Sequence, residues 1–238
     1  MGFDLQGFLH NLLTLYPVFL FALTIHEVAH ALTAKWAGDL TSTYQNRLSL
    51  NPMVHMDPFG TVLIPLLMMA FGGGLFFGWA RPVQVDKMRY KSPGWDVIVS
   101  LAGPFSNVLL AIFGTLVFSL LLRIGLVGAG NGWWVLPEGF GGAFSEFVML
   151  YVALNWLLVL FNLIPVPPLD GSHIFYFFVI QGRAKYEAVW EVWSRFGFVL
   201  LFLLLWRGPL GAYFGVAIWK LTRFTLVLLG FPLDFLQG

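Results

Sequence analysis

The sequence predicts an all-α polytopic membrane protein with about five to six membrane segments, one of them re-entrant, and a short β-like segment near its functional site. Hydrophobic residues make up 58% of the chain and charged residues only 11%, against about 25% charged residues in a typical soluble domain. Because apolar runs recur along the whole length, we predict a single membrane domain over 1–238, with a core at about 8–175 and C-terminal membrane segments at about 188–231. The apolar runs lie at about 8–37, 60–80, 94–122, 144–164 and 196–231.

The first half of the chain alternates apolar helix patterns with polar connections. The run at 8–36 is long enough to span a bilayer at about 1.5 Å per residue, and Pro17 is expected to kink or fray its first half. In the polar stretch that follows, TSTYQNRLSLNP alternates polar and apolar residues, which predicts short strands within 40–57. Segment 59–79 is apolar but contains Pro65 and a triple glycine, so it is either a full span or a re-entrant hairpin.

The second half begins with an apolar helix pattern at about 95–122, followed by a glycine-rich loop at 128–142. The next helix pattern starts at about 144 and ends in LIPVPPLDG, where prolines stop the helix. Asp170 therefore lies at a helix end. Beyond 195, charged residues interrupt the apolar sequence, which predicts two further spans or one span plus an interfacial helix.

Composition also limits the ligands and partners. The chain has no cysteine, so disulfides and thiolate metal ligands are excluded and a bound metal must use nitrogen and oxygen ligands. The net charge is +1 and no basic stripe is present, so we expect no nucleic-acid partner. The aromatic content of 18% fits lipid-facing and interfacial side chains, so the expected surroundings are a lipid bilayer.

A histidine pair in the first helix predicts a metal site. His26 and His30 are four residues apart, so their imidazoles project from one helix face and can share one cation. Glu27 lies beside them, and in His-Glu-x-x-His metalloproteases this glutamate takes a proton from the attacking water while the histidines bind zinc. A polar cluster satisfied by neighbouring helices is the alternative. An acidic residue near the centre of a membrane helix costs about 2.5–3.5 kcal/mol on insertion scales, which favours a functional Glu27.

A catalytic zinc site needs a third protein ligand and one open position. We predict that Asp170 is this ligand, because it is the acidic residue of the second half that ends a long apolar helix. An aspartate in an interfacial turn would give the same pattern, and His55 is the main competitor, followed by Asp57 and His173. Two histidines and one carboxylate do not select zinc uniquely over iron or cobalt. One zinc ion per chain is preferred on ligand type and abundance.

Four motifs in a fixed order resemble those of a known family. Over about residues 20–175 the chain resembles the site-2 protease family of intramembrane zinc metalloproteases. It is most similar to the compact prokaryotic members, since no PDZ-like insertion and no C-terminal regulatory domain are evident. The motifs are HEVAH at 26–30, LNPMVHMDPFG at 50–60, SLAGPFSN at 100–107 and NLIPVPPLDG at 162–171.

The resemblance implies a zinc-dependent endopeptidase that hydrolyses peptide bonds in or near the transmembrane helices of membrane protein substrates. It carries the zinc ligands onto His26, His30 and Asp170 and the catalytic base onto Glu27. It also assigns Asn107 to a helix that faces the site, where the amide would stabilise the oxyanion or position substrate. Packing between helices is an equally weighted alternative for this amide. The oligomeric state is not implied.

A substrate helix hides its carbonyls, so it must unwind before it is cut. The strand-like stretch within 40–57 and the GWARPVQV stretch at 78–85 are candidates for pairing with unwound substrate by strand addition. Ordinary loop structure is the alternative for both.

The two predicted ligand clusters lie late in their own helices, so these helices must run parallel to share one ion. Parallel helices are separated by an odd number of crossings, and 95–122 supplies one, which predicts that 59–79 is re-entrant. Lys and Arg gather on cytoplasmic loops, so we predict a multi-pass cell-membrane protein whose active site lies toward the cytoplasm. With the N-terminus outside, the basic residues that fall inside are Lys35, Arg47, Arg81, Lys87, Arg89, Lys91, Arg183, Lys185 and Arg195.

Two other functions would use the same residues. A zinc-binding membrane transporter or scaffold would bind a cation at His26, His30 and Asp170 without hydrolysis, but the sequence has no evident internal symmetry. A pseudoprotease that binds transmembrane helices would have no need of Glu27, because only hydrolysis uses that base.

Overall fold

The computed structural model describes residues 4–71, 78–125, 128–130, 133–135, 140–206 and 210–228. This part of the chain is predominantly helical, as predicted. Two three-residue strands, β1 (Gly128–Gly130) and β2 (Trp133–Val135), pair antiparallel between the fourth and fifth helices. The helices are α1 (Leu5–Ala37), α2 (Thr41–Tyr44), α3 (Ile64–Phe71), α4 (Trp95–Arg123), α5 (Phe140–Asn162), α6 (Asp170–Phe175), α7 (Ala184–Trp206) and α8 (Leu210–Leu228).

Helix α1 is continuous for 33 residues. It begins where Asp4 accepts hydrogen bonds from the backbone N–H groups of Gln6 and Gly7, and it ends at Gly38, whose φ of 110° favours glycine. Pro17 lies inside the helix, and the expected fraying of the first half is not seen there.

The prediction of strands within 40–57 is wrong. This stretch forms α2 and a turn of 3-10 helix at Pro52–Val54, with irregular chain between them. Side chains explain the difference, because Asp39 accepts from Thr41 N and Asn51 accepts from Met53 N. Such local caps start helical turns and compete with strand pairing. The β-like segment that was expected beside the site is therefore absent from the described 40–57 stretch.

The centre of the fold is a bundle of α1, α4 and α5. One buried cluster joins α1 to α5, and a second joins α4 to α5. Helix α8 packs its Ile218 and Leu221 against the second cluster. The first cluster consists of Val18, Phe19, Ala22, Leu23, Ala80, Leu154 and Leu158, and the second of Ala111, Val152, Trp156 and Val159.

Helices α1 and α5 run parallel. Near their N-terminal ends, His10 Nε2 lies 3.0 Å from Glu146 Oε1. Near their C-terminal ends, His26 lies beside Asp170, which follows α5 by a short connection. Since α4 connects the two in sequence and packs against both, the bundle has the arrangement that a shared ligand site requires.

The segment after residue 57 returns to its own starting point. A six-residue π-helix, Pro58–Leu63, leads into α3, and the chain comes back at Trp79, whose backbone N–H donates to the Gly60 carbonyl at 3.1 Å. The Thr61 hydroxyl donates to the Trp79 carbonyl at 2.8 Å. The two ends therefore lie side by side, as a re-entrant segment requires. The triple glycine at 72–74 lies outside the described residues.

Two described helices are long and apolar enough to cross a membrane, Leu5–Ala37 and the part of α4 from Trp95 to Leu121. Two shorter apolar helical stretches, Pro58–Phe71 and Glu146–Asn162, accompany them. At the C-terminal end the structure has two helices, α7 and α8. The total of five to six membrane segments remains a prediction.

Candidate metal centre

Three side chains from two distant stretches of chain meet at one point. His26 Nε2 lies 3.2 Å from Asp170 Oδ2, and His30 Nε2 lies 3.3 Å from Asp170 Oδ1. The two Nε2 atoms are 3.1 Å apart. Helix α1 brings the histidines together by its four-residue spacing, and the turn after α5 places Asp170 at the first position of α6. The structure thus brings together all three predicted ligands.

The outer nitrogens of both imidazoles are hydrogen-bonded away from this point. His30 Nδ1 lies 2.7 Å from the Val99 carbonyl, and His26 Nδ1 lies 2.6 Å from Asn107 Oδ1. A carbonyl only accepts, so His30 Nδ1 donates, and in the neutral imidazole Nε2 is then the nitrogen whose lone pair faces Asp170. This is the arrangement that metal-binding histidines adopt.

The residues present fit a divalent metal ion. Their ligand atoms all lie within 4.8 Å of one another. Asp170 Oδ2 is buried and accepts no hydrogen bond in spite of its nearness to His26, so one carboxylate oxygen is left without a partner. Gly103 of α4 also leaves room, because a Cβ there would lie 2.3 Å from His30 Nε2 and 2.5 Å from His26 Nε2.

Glu27 shares the cavity with the three ligands. The cavity has a volume of about 300 Å³. Glu27 is buried, and its Oε2 accepts a hydrogen bond from the Val83 backbone N–H at 3.0 Å. Val83 belongs to a stretch of chain at 78–86, outside the helices and strands, that forms one wall of the cavity. A carboxylate is thereby held beside the candidate metal ligands by the backbone of another segment.

Three polar side chains lie at another part of the cavity wall. The Lys87 ammonium is 2.8 Å from Asp96 Oδ2 and donates to His173 Nδ1 at 2.9 Å. Burial, reinforced by the charge of Lys87, lowers the pKa of His173, so this imidazole is neutral at pH 7 and can accept from Lys87. These groups give the cavity a hydrophilic side that water can reach.

The competitors for the third ligand have other contacts. His55 is buried away from the three ligands, and its Nε2 lies 2.9 Å from the Ser49 carbonyl. The Asp57 carboxylate accepts from the backbone N–H groups of Phe59 and Gly60 and so caps the helical segment that follows. His173 lines the cavity and pairs with Lys87. In the described part of the chain, the group with metal-ligand geometry is His26, His30 and Asp170.

Asn107 does not face the cavity. Its side chain is 0% exposed, its Oδ1 contacts His26, and its Nδ2 donates to Asn155 Oδ1 at 2.8 Å. The side chain contacts the outer nitrogen of His26 and joins α4 to α5. The catalytic role of Asn107 stays a prediction.

Sequence comparisons relate the chain to known proteins. The family described as Peptidase family M50 matches residues 138–204, which include the Asp170 region. A protein of Bacillus subtilis (strain 168), YwhC, is 39% identical over 215 residues, covering 88% of this chain and 89% of the relative. The chain belongs to the site-2 protease family.

Other members of the site-2 protease family align over shorter parts. Rip2 of Mycobacterium tuberculosis (strain ATCC 25618 / H37Rv) is 32% identical, with 84% of this chain and 70% of the relative covered. Rip2 of Mycolicibacterium smegmatis (strain ATCC 700084 / mc(2)155) is 31% identical over 64% of this chain, which spans about half, 52%, of that relative. YwhC and Rip2 are both described as "Putative zinc metalloprotease". No solved structure matches the chain significantly.

Membership of this membrane-embedded family makes the chain a zinc metalloprotease.

Some of the groups around the site were not found by reading the sequence. Gly103 and Asn155 lie in apolar helices, and only a glycine in SLAGPFSN and an amide in NWLLVLFN hinted at them. The Val83 N–H and the Lys87 side chain come from a loop, whose path no sequence period could predict.

Proposed function

We propose that this site-2 protease family member is an intramembrane endopeptidase in which His26, His30 and Asp170 hold one zinc ion and Glu27 is the general base. The observation that carries the proposal is the convergence of these three ligands with Glu27 on one buried cavity. Two of the ligands lie on a helix that is long and apolar enough to cross a membrane. A protease site buried on such a helix is suited to substrates that are themselves in the membrane.

The proposed orientation has the site toward the cytoplasm and the N-terminus outside. Support comes from the parallel course of α1 and α5 and from the return of the chain at Trp79 to Gly60, which leaves α4 as the net crossing between the ligand clusters. With this arrangement the basic residues of 81–91 and 183–195 fall on the cytoplasmic side, where Lys and Arg accumulate.

In the proposed reaction, Glu27 moves a proton. When bound, zinc supplies Lewis acidity, which polarises the scissile carbonyl and lowers the pKa of water. The Glu27 carboxylate accepts a proton from the attacking water and later gives it to the leaving amine. The Val83 N–H holds Glu27 Oε2, which fixes the side-chain position and leaves the other carboxylate oxygen to receive the proton.

Substrate must present an unwound peptide bond to this cavity. Residues of 78–86, a stretch outside the helices and strands, form a wall of the cavity, and this position supports the proposal that the stretch pairs with substrate by strand addition. The stretch at 40–57 loses this role, since it contains no strand among its described residues.

The proposal is tested with Glu27→Gln, which keeps the shape of the side chain but cannot accept the proton. The variant should retain zinc and lose cleavage of co-reconstituted single-span substrates by at least about 100-fold, the lower range for a general base. Zinc is measured by elemental analysis of the purified protein, and cleavage is measured in proteoliposomes. Glu146→Gln is the matched control, because Glu146 pairs with His10 near the far end of α1.

Other results would sink the proposal. Cleavage by Glu27→Gln at the wild-type rate would exclude Glu27 as the base. Wild-type protein that holds zinc but cuts no substrate of the panel would favour a zinc-binding scaffold or a pseudoprotease. Zinc accumulation inside the vesicles would favour a transporter.

A further inference from the structure

A chain of buried amide hydrogen bonds runs from His26 to a backbone carbonyl of α5. His26 Nδ1 lies 2.6 Å from Asn107 Oδ1, and Asn107 Nδ2 donates to Asn155 Oδ1 at 2.8 Å. Asn155 Nδ2 then donates to the Tyr151 carbonyl at 2.8 Å. Both amides are 0% exposed. The chain joins α1, α4 and α5 behind the candidate metal ligands.

The direction of this chain is fixed at its far end, because a carbonyl can only accept. The Tyr151 carbonyl requires the Asn155 NH₂ group, which leaves Asn155 Oδ1 facing Asn107. That oxygen also only accepts, so Asn107 must offer its NH₂ group to Asn155 and its oxygen to His26. His26 Nδ1 therefore carries the hydrogen, and Nε2 has a lone pair toward Asp170 and His30.

Asn107 by itself would fix this direction only weakly. The two ends of an amide are nearly the same size, so the group can rotate by half a turn. Its other hydrogen-bond partner, the Ala22 carbonyl, lies at 3.4 Å from Nδ2. With the amide reversed, its NH₂ group would face His26 Nδ1, and the imidazole hydrogen would have to move to Nε2, which is the atom that faces the metal position.

We propose that Asn155 is a positioning residue for the metal, acting through Asn107 to hold His26 in the tautomer whose Nε2 lone pair can bind a divalent cation. The inference rests on the proposed function only in taking His26 as a zinc ligand. A buried amide without hydrogen-bond partners is costly, and both the oxygen and the nitrogen of the Asn155 side chain are paired within the bundle. This cost holds the chain of hydrogen bonds in one arrangement.

The test measures zinc affinity in the Glu27→Gln background, so that no reading depends on cleavage. Asn155→Leu removes the relay while it keeps the branching of the side-chain heavy atoms, and it should weaken the zinc Kd by about 10- to 100-fold, the usual effect of losing an outer partner of a metal ligand. Asn155→Asp should restore affinity, because a protonated aspartate can donate to the Tyr151 carbonyl and accept from Asn107. Thr115→Val is the control, since it removes a buried polar group outside the relay, the hydroxyl on α4 that donates to the Ala111 carbonyl, and should leave the Kd unchanged.

A double-mutant comparison separates positioning from general packing. Asn107→Leu and the Asn107→Leu/Asn155→Leu pair should have the same zinc Kd, because both remove one relay. The proposal would be overturned if the losses of zinc affinity in the two single variants added up in the double variant. It would also be overturned if a folded Asn155→Leu protein kept a zinc Kd within about twofold of the parent.

Nitrogen-15 NMR of labelled histidine in the zinc-free protein gives a reading that needs no variant at position 155. His26 should carry its hydrogen on Nδ1, and a hydrogen on Nε2 in the otherwise unaltered protein would overturn the proposal even if Asn155→Leu did not fold. The two proposals fail in different ways. A protein that cleaves substrate but is insensitive to Asn155→Leu refutes only the role of Asn155, whereas a wild-type protein that binds no zinc refutes the proposed function.

Discussion

Gly103 shows how much of the centre depends on a missing atom. It lies on α4 where that helix passes the two imidazoles, and the space that its Cβ would fill is the space beside both Nε2 atoms. A glycine inside a helix costs about 1 kcal/mol relative to alanine. Its presence in the middle of α4 is therefore explained by the approach of the histidines and not by the helix itself.

Gly103→Ala should abolish zinc binding while the protein still folds. The new methyl group would lie 2.3–2.5 Å from both Nε2 atoms, which is closer than any real contact. Zinc retained after dialysis and cleavage of a membrane substrate are the two measurements. Gly215→Ala is the matched control, since Gly215 is also helical and a Cβ there meets nothing within 4 Å. Stoichiometric zinc in Gly103→Ala would contradict the steric argument.

Some residues of the site could be found from the sequence alone, and others could not. His26, Glu27 and His30 share one helix, so their spacing alone placed them together, and Asp170 was predicted from the end of an apolar helix. Asn155 could not be found in this way. Its importance comes from contacts with Asn107, 48 positions away, and an amide in an apolar helix has many possible partners before the helices are packed.

At the scale of elements, the stretch 78–86 lies between the helical segment Pro58–Phe71 and the site. Its backbone is fixed at several points, where Trp79 N donates to the Gly60 carbonyl, Arg81 N to the His55 carbonyl and Asp86 N to Asp39 Oδ2. Between the last two of these contacts, Val83 N donates to Glu27. The stretch therefore positions the proposed base with a backbone N–H, which only a substitution by proline removes.

Val83→Pro removes this N–H donor and should reduce cleavage about tenfold or more, because a hydrogen bond to a charged group contributes about 1.5–3 kcal/mol. Zinc content should stay the same, since none of the three ligands is touched. Val83→Ala keeps the N–H and is the control for the lost side chain. Equal cleavage by the proline and alanine variants would mean that the hydrogen bond to Glu27 has no part in the reaction.

The element that the sequence predicted wrongly is the stretch 40–57. Its alternating pattern favoured strands, yet the side chains of Asp39 and Asn51 cap the backbone N–H groups that start helical turns. Alternation over a few residues is a weak signal when no partner strand is available to pair with. The bounds of α1, α4 and α5 were predicted to within four residues, because long, mostly apolar runs leave the backbone few other ways to satisfy its hydrogen bonds. The bounds of α7 and α8 were left open by the sequence.

At the scale of the whole molecule, the site depends on the relative direction of three helices. Contacts at both ends show that α1 and α5 run parallel, with α4 as the connection between them. This arrangement brings His26 and Asp170 to the same level although 143 positions separate them in sequence. The proposed topology requires that segment 59–79 makes no net crossing of the bilayer, because a full crossing would place the two ligand clusters on opposite sides.

The absence of cysteine allows a direct test of this topology with single-cysteine variants. Ser92→Cys and Lys185→Cys should react with an impermeant maleimide only from the cytoplasmic side, because both exposed positions lie next to the ends of helices at the site. Ile124→Cys and Ala143→Cys, which are exposed at the other end of α4 and α5, should react only from outside. The cysteine-free parent is the control. Labelling of Ser92→Cys and Ile124→Cys from the same side would refute the proposed course of α4.

The sequence by itself determined the helical class of this protein, the metal-binding pair with its glutamate, and the need for parallel ligand helices. These properties follow from hydrophobicity and helical spacing, which act over a few turns of one helix. The tertiary structure decided which groups hydrogen-bond to the outer nitrogens of the two histidines, where the chain leaves room for an ion, and what holds Glu27 in place. Those answers depend on the packing of α4, α5 and the 78–86 stretch against α1, and contacts between distant segments have no period that a single sequence can display.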